Sequence, residues 1–413
     1  MEIKRDTYLR RLIEHQRNGL VKVITGLRRS GKSYLLFKLF KEYLLNSGDM
    51  DSDHIIEMSF DDFGNRRYRN PEVFYDYVCS RIATGGHYVV LLDEVQLLDS
   101  FEDVLNGLLR MENVDVYVTG SNARFLSKDI VTEFRGRGDQ LHINPLDFSE
   151  FMSVYDGSEE RGLEEYMRYG GLPMVVLTPR VEEKEAMLRN LLDETYLNDI
   201  MTRHRVRNQA ELTDLLMVLA SGIGGLTNPE KLSKTFQSVK QVNIMRKTVQ
   251  KYIEYFEDAF LVEKAQRYDV KGRKYIGTPM KYYFSDMGLR NALLQYRQVE
   301  KTHLMENAVY NELRMRGYSV DVGMVTVNGK NAQGVSTRSQ LEVDFVCNKG
   351  SERVYVQSAL HLDTEEKREQ ELRSLRAVKD NFRKIVITGD HTLPYQDDNG
   401  ISYMNIYDFL RRR

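Results

Sequence analysis

The octapeptide Gly26-Leu27-Arg28-Arg29-Ser30-Gly31-Lys32-Ser33 constrains this chain more than any other stretch, because it satisfies G-x-x-x-x-G-K-[ST] and has the flanks that motif requires. Before it, Val21-Lys22-Val23-Ile24-Thr25 reads as a buried strand. After it, Tyr34-Leu35-Leu36-Phe37-Lys38-Leu39-Phe40 reads as a helix with an apolar face. Strand, glycine loop and helix together let backbone N–H groups wrap a β-phosphate at a helix N-terminus. Lys32 is then placed to reach the β- and γ-phosphates, and Ser33 to hold Mg²⁺ through its hydroxyl. The sequence predicts a bound nucleoside triphosphate.

A second element of the same site is expected at Tyr88-Val89-Val90-Leu91-Leu92-Asp93-Glu94. A continuous apolar run of this kind is a strand buried on both faces, as in a parallel sheet flanked by helices. Asp93, at its C-terminal end, is placed to bind the Mg²⁺ hydration shell. Glu94 beside it can polarise a water for attack on the γ-phosphate, which favours hydrolysis over transfer to a metabolite. A third strand, Val114–Thr119, ends in Gly120-Ser121-Asn122, where Asn122 or Ser121 would orient the attacking water. Arg135 and Arg137 precede a strand-like run, Gln140–Asn144. They are candidates for the arginine that a neighbouring copy donates to a γ-phosphate, a role that implies a homo-oligomer. The plain alternative is surface pairing with Glu133 or Asp139.

With 413 residues the chain exceeds what one core serves, so roughly two to four domains are expected. A net charge of −2 excludes a globally basic nucleic-acid coat, and any DNA contact must come from a local patch. Cys79 and Cys347 lie far apart and suggest neither a disulfide framework nor a metal site. No apolar signal-peptide core and no run of membrane-spanning length is present, which predicts a cytoplasmic protein with no membrane contact.

Strand and helix alternate from residue 20 to 145, including a strand at His54–Phe60, which predicts an α/β fold with a parallel sheet. Residues 146–207 read as helical, broken by the turn Gly170-Gly171-Leu172-Pro173, and suggest a helical lid completing a P-loop domain of residues 1–207. Residues 208–298 read differently. A short helix begins at Pro229, a turn follows at Lys240–Asn243, and a longer helix from Ile244 carries Val249, Ile253, Phe256 and Phe260 at helical spacing. Strands Leu261–Tyr268 and Lys281–Ser285 then flank a basic segment. Helices followed by a basic-tipped hairpin outline a winged helix. Arg246, Lys247 and Lys251 would lie at a DNA groove, with Lys271, Arg273 and Lys274 on phosphate; a solvated basic face is the other reading.

Residues 299–413 begin with a helix at His303–Arg316, then a loop rich in Gly, Asn and Ser at Asn328–Ser339. Two strands follow, Glu342-Val343-Asp344-Phe345-Val346 and Arg353-Val354-Tyr355-Val356-Gln357. An Asp on one strand and acid-x-Lys on the next is the layout of restriction-endonuclease-type Mg²⁺ sites. Asp344 fits and Glu306 could serve as a helix carboxylate, but Tyr355 and Gln357 replace the second acid and the lysine. The sequence predicts a degenerate nuclease-like α/β domain that does not cut DNA.

Taken together the chain resembles a prokaryotic family of AAA-type ATPases with a winged helix and a nuclease-like C-terminal domain of unknown function. The resemblance is carried by Thr25–Ser33, Leu92-Asp93-Glu94-Val95-Gln96, Thr119-Gly120-Ser121-Asn122, Tyr169-Gly170-Gly171-Leu172-Pro173 and Glu342–Val346. It implies ATP and Mg²⁺ as cofactors and a bacterial or archaeal cytosol. The chain also lacks the guanine-reading motif N-K-x-D, which favours ATP. The leading expectation is an ATPase that couples nucleotide state to DNA binding or remodelling. A nucleotide-dependent switch that binds a protein partner, and an ATP-regulated nuclease, are the alternatives.

Overall fold

Val21–Gly26 (β1) is buried at every position, because it lies inside a sheet covered on both faces. The computed structural model describes residues 2–48, 50–82, 85–120, 138–330 and 336–411. In it, β1 belongs to a five-stranded sheet with Ile55–Ser59 (β2), Tyr88–Asp93 (β3), Val114–Thr119 (β4) and Gly138–Ile143 (β5), in the order β2-β3-β4-β1-β5. Every pairing is parallel. Alternate side chains feed the two faces. Tyr88, Val90 and Leu92 pack with Phe74, Val78 and Leu105, while Val89 and Leu91 pack with Leu36 and Phe40. That is why β3 reads as an unbroken apolar run.

The chain forms two compact units, Met1–Pro145 with Asp258–Phe260, and Leu146–Glu257 with Leu261–Arg413. The expected divisions at 207/208 and 298/299 do not coincide with these units. The helical segment expected as a lid on the P-loop domain belongs instead to the second unit, and Gly170-Gly171 shows why. The Asp286 carboxylate accepts the Gly171 N–H at 2.8 Å, and Asn291 Nδ2 donates to the carbonyls of Met167 and Arg168 at 2.9 Å each. The approach leaves no room for side chains: a Cβ on Gly288 would come within 2.0 Å of the Tyr169 carbonyl oxygen.

The boundary at 298/299 fails because one sheet runs across it. Val262–Asp269 (β6), Lys274–Phe284 (β7), Ser319–Lys330 (β8), Ser336–Lys349 (β9), Glu352–Ala359 (β10), Arg383–Thr388 (β11), Tyr395–Gln396 (β12) and Ile401–Asn405 (β13) form eight strands in the order β12-β13-β11-β10-β9-β8-β6-β7. The hairpin β6–β7 joins through a parallel ladder from Arg267–Asp269 to Val322–Met324. The loop expected at Asn328–Ser339 is strand at both of its described ends, where the β8–β9 register continues to Lys330 opposite Ser336; residues 331–335 lie outside the described residues. Main-chain pairing there overrides a Gly/Asn/Ser composition that favours turns.

Three helices, Gln209–Ser221, Pro229–Thr235 and Arg246–Asp258, precede the β6–β7 hairpin. Thr227, between the first two, bridges Met280 of β7 through reciprocal 2.8 Å hydrogen bonds. Val249, Ile253 and Phe256 are buried, as the helical spacing predicts, whereas Phe260, expected on the same face, lies beyond the helix end at Asp258 in left-handed backbone, φ 56°. Among the described residues no helix is long and apolar enough to cross a membrane.

Candidate nucleotide site

The loop between β1 and the helix beginning at Lys32 is built on glycine. Gly31 caps that helix in left-handed backbone, φ 97°. Gly26 has φ 143°, and a Cβ there would meet the Ile143 carbonyl oxygen at 2.1 Å, so no other residue fits beside β5. Of the ten non-glycine residues with left-handed backbone among the described residues, two lie here, Arg29 (φ 63°) and Glu94 (φ 50°). Each costs on the order of 1 kcal/mol.

Lys32 is 5% exposed and folds back to donate to the carbonyls of Gly26 and Leu27 at 3.0 Å each. Burial pushes its ammonium down to about 8, against the opposing pull of Glu94 and Asp93; Arg28 acts in the same direction as burial. The Ser30 hydroxyl is buried with no hydrogen-bond partner among the described residues. An anionic group accepting from this loop would satisfy both Lys32 and Ser30, so the residues present fit a phosphate. Ser33, next on the helix, is exposed.

Asp93 ends β3, buried at 5% exposure. Its carboxylate accepts the Thr119 hydroxyl from β4, and its other oxygen lies 3.5 Å from the Ser59 hydroxyl of β2, which donates to Asp61 at 2.6 Å. Thr119 Oγ1 in turn accepts the Glu94 N–H at 3.1 Å, and Gln96 Nε2 donates to the Glu94 carboxylate. The strand carrying the two acids is thus not the neighbour of β1; β4 lies between them. Ser121, Asn122, Arg135 and Arg137 lie outside the described residues. Asp139, weighed as an arginine partner, is taken by His15 and by Asn18 Nδ2 at 2.9 Å.

Sequence reasoning missed Arg5, which is buried and ties the loop down. It donates to the Ser30 carbonyl at 3.1 Å and the Asn144 carbonyl at 2.7 Å. No spacing rule relates an arginine near the start of the chain to a loop so much later. Thr119 was visible as a strand end, but not as the bridge between β3 and β4.

In the second unit, Arg246, Lys247 and Lys251 are all exposed on the helix Arg246–Asp258. Lys271, Arg273 and Lys274 are exposed at the β6–β7 turn, which Asp269 shapes by accepting the N–H groups of Lys271 (3.2 Å) and Gly272 (2.9 Å).

The same unit brings Glu306 and Asp344 together, with two partners the sequence did not single out. Lys281 Nζ lies 2.9 Å from Glu306 Oε1, 2.7 Å from Glu342 Oε1 and 3.9 Å from Asp344 Oδ1. Burial works to lower the Lys281 ammonium, yet Glu306, Asp344 and Glu342 together hold it above its ordinary value. Burial and the Glu306 charge push the Asp344 carboxyl up to about 8, against Lys281 and the Ser358 N–H. Glu342 had a legible signal: two residues before Asp344 on a strand, it shares that face.

A glycine loop at a helix N-terminus, a buried lysine within it and an acid pair closing a nearby parallel strand define the P-loop class. The family described as AAA domain matches residues 18–152, and the family described as Domain of unknown function (DUF8612) matches residues 160–300. An uncharacterized protein of Haemophilus influenzae is 33% identical over 414 residues, covering 99% of this chain and 98% of its own length. An uncharacterized protein of Methanocaldococcus jannaschii is 27% identical over 378 residues, 87% of this chain and 79% of the relative. The chain belongs to the family of the Haemophilus influenzae protein, a P-loop family of AAA type. The solved structure of the Aeropyrum pernix Orc1 protein in complex with DNA is similar at TM-score 0.32 and 14% identity, over 71% of this chain and 93% of that one, a likeness too distant to bear on function.

Proposed function

We propose that the chain is a Mg²⁺-dependent ATPase whose nucleotide state governs DNA binding. The observation that carries the first half is the buried Lys32 in a strained glycine loop, within the electrostatic reach of Asp93 and Glu94. In this reading Lys32 exchanges the carbonyls of Gly26 and Leu27 for the β- and γ-phosphates, which return its full charge. Backbone N–H groups of residues 27–33 cradle the phosphate, and the Ser33 hydroxyl with the Asp93 carboxylate would hold Mg²⁺. When bound there, Mg²⁺ would supply positive charge against the negative charge that develops on the phosphate. Glu94 accepts a proton from the attacking water, and Thr119 sets its position through the Glu94 N–H. Asn122, Arg135 and Arg137 remain proposed for water orientation and for an arginine donated between copies.

The second half rests on the exposed basic residues of the second unit. In this reading the three helices and the β6–β7 hairpin they precede act as a winged helix, with Arg246, Lys247 and Lys251 on its last helix and Lys271, Arg273 and Lys274 on its turn. These cations suit phosphate contact and carry no sequence preference by themselves. In the same reading the antiparallel pair β9–β10, with Asp344 on the first strand, is the remnant of a nuclease-like site, in which Gln357 gives its amide to Glu371 at 3.2 Å and brings no charge. We read that part as a non-cutting adaptor. ATP turnover with and without duplex DNA tests the whole: stimulation supports it, while an ATPase indifferent to DNA that also fails to bind it supports the protein-partner switch.

A further inference from the structure

The peptide plane joining Ser30 to Gly31 lies at the heart of the glycine loop, and Arg5 holds it. The Ser30 N–H donates to the Leu27 carbonyl at 3.2 Å, and the Gly31 carbonyl accepts the Leu35 N–H at 2.9 Å. Neither bond uses an atom of the plane between them. The Ser30 carbonyl, which belongs to it, accepts from Arg5 Nη1 at 3.1 Å. In a trans peptide the C=O of one residue and the N–H of the next point in opposite directions. The Gly31 N–H is therefore aimed away from Arg5, in a direction that the guanidinium sets. Glycine makes that hold necessary. Gly31 sits at φ 97°, and a residue without a Cβ passes between positive and negative φ at little cost, so this plane can turn over. Turned over, it would offer a phosphate a carbonyl oxygen in place of an N–H.

Arg5 is itself firmly anchored. It is 4% exposed, and its Nη2 donates to the Asn144 carbonyl just past β5 at 2.7 Å. Its guanidinium carbon lies 4.6 Å from the centre of the Tyr8 ring, and the Tyr8 hydroxyl accepts from Asn144 N at 3.3 Å and Nδ2 at 3.4 Å. The planar fork thus spans the loop and the end of a sheet strand, as a single point donor would not. Burying a guanidinium is costly, and a neutral amide could also tie two carbonyls. The charge adds two things that an amide lacks. It polarises the Ser30–Gly31 peptide, which strengthens the N–H as a donor, and it places a positive charge behind the loop that favours an anion in front. Given the triphosphate site proposed above, we propose that Arg5 is its positioning residue, a latch that keeps the Gly31 N–H turned toward the phosphates. Arg5 then sets nucleotide affinity and leaves the chemistry to Glu94.

The test is Mg-ATP binding and turnover by the full-length wild type and by Arg5→Ala, with the fold of each followed by circular dichroism. Arg5→Ala should bind Mg-ATP at least ~10-fold more weakly while kcat at saturation stays within about threefold, because the loss falls on the grip on phosphate and not on water activation. Millimolar ethylguanidinium should restore much of the affinity, and ethylammonium at the same concentration should not, since a planar fork is what is missing. Where Arg5→Ala does not fold, Arg5→Lys carries the test. It keeps the charge without the fork and should bind about threefold or more weakly than the wild type, again with the loss in affinity and not in kcat. Wild-type affinity in the variant that carries the test overturns the proposal alone, because the wild type still binds nucleotide. So does a joint fall of affinity and kcat that ethylguanidinium leaves unchanged, the mark of a scaffold residue, and so does failure of both variants to fold. A wild type that binds no Mg-ATP overturns the phosphate-loop reading and the proposal with it.

Discussion

The hydroxyl of Thr119, at the end of β4, donates to the carboxylate of Asp93, at the end of β3, and the same oxygen accepts the Glu94 N–H at 3.1 Å. One side chain therefore fixes both acids of the candidate site from the strand that separates them from the phosphate loop. Thr119→Val keeps the shape and removes the hydroxyl. Nucleotide affinity should change by less than about threefold, while turnover falls about tenfold or more, because Asp93 and Glu94 lose their alignment. Stability should drop by about 1–3 kcal/mol for the unpaired Asp93 acceptor. Equal turnover in both proteins removes Thr119 from the mechanism.

Lys32 sits at about 8 in the free protein because burial outweighs Asp93 and Glu94. Phosphate charge beside it should raise it again, so nucleotide binding takes up protons when the pH is near 8 and not when it is well below. At pH 8 the expected uptake is roughly half a proton per chain. Calorimetry in buffers of different ionisation enthalpy measures it directly; zero uptake at pH 8 means that Lys32 does not meet the phosphates.

Much of the first unit is legible because each strand of a doubly covered parallel sheet announces itself as an apolar run, as Tyr88–Asp93 and Val21–Thr25 do. The phosphate loop is legible because its chemistry leaves few alternatives to Gly at 26 and 31. What stays hidden is long-range. Lys281 precedes Glu306, Glu342 and Asp344 in sequence and meets them only because the β6–β7 hairpin pairs into the C-terminal sheet. A domain boundary drawn at 298/299 separated it from them. Arg5 is hidden for the same reason, being held by carbonyls of residues 30 and 144 that no periodicity connects to it. The Gly/Asn/Ser run near residue 330 reads as loop because side-chain composition says nothing about a ladder made of backbone alone.

Asp286 holds the Gly170-Gly171 turn while fully enclosed, and burial pushes its carboxyl up to about 6 although Gly171 and Leu289 donate N–H groups to it. Below the ordinary value of 3.8, folded and unfolded chains both carry the proton, and this contribution to stability is complete. As pH rises through about 6 the folded chain must bury a charge, and the contribution is lost, by about 3 kcal/mol. Asp286→Asn does not titrate. The stability of the wild type relative to this variant should therefore fall between pH 4 and 7 in denaturant unfolding. A pH-independent difference contradicts the assignment.

Reversing Lys247, Lys251 and Arg273 to Glu should weaken duplex binding and flatten its dependence on salt, since each lost phosphate contact lowers the slope of log affinity against log salt by roughly 0.9. All three side chains are exposed, so circular dichroism should be unchanged. Affinity and salt slope equal to those of the wild type leave the basic helix and hairpin as a solvated scaffold.

The most direct test of the account is ATP binding and turnover in wild type, Lys32→Ala and Glu94→Gln, each with and without duplex DNA. Lys32→Ala should lose nucleotide affinity. Glu94→Gln should keep it and turn over about 10²-fold or more slowly, because only activation of the water is removed. The wild type should hydrolyse Mg-ATP faster when DNA is present. Normal turnover by Glu94→Gln, or a wild type that binds ATP without hydrolysing it under either condition, contradicts the account.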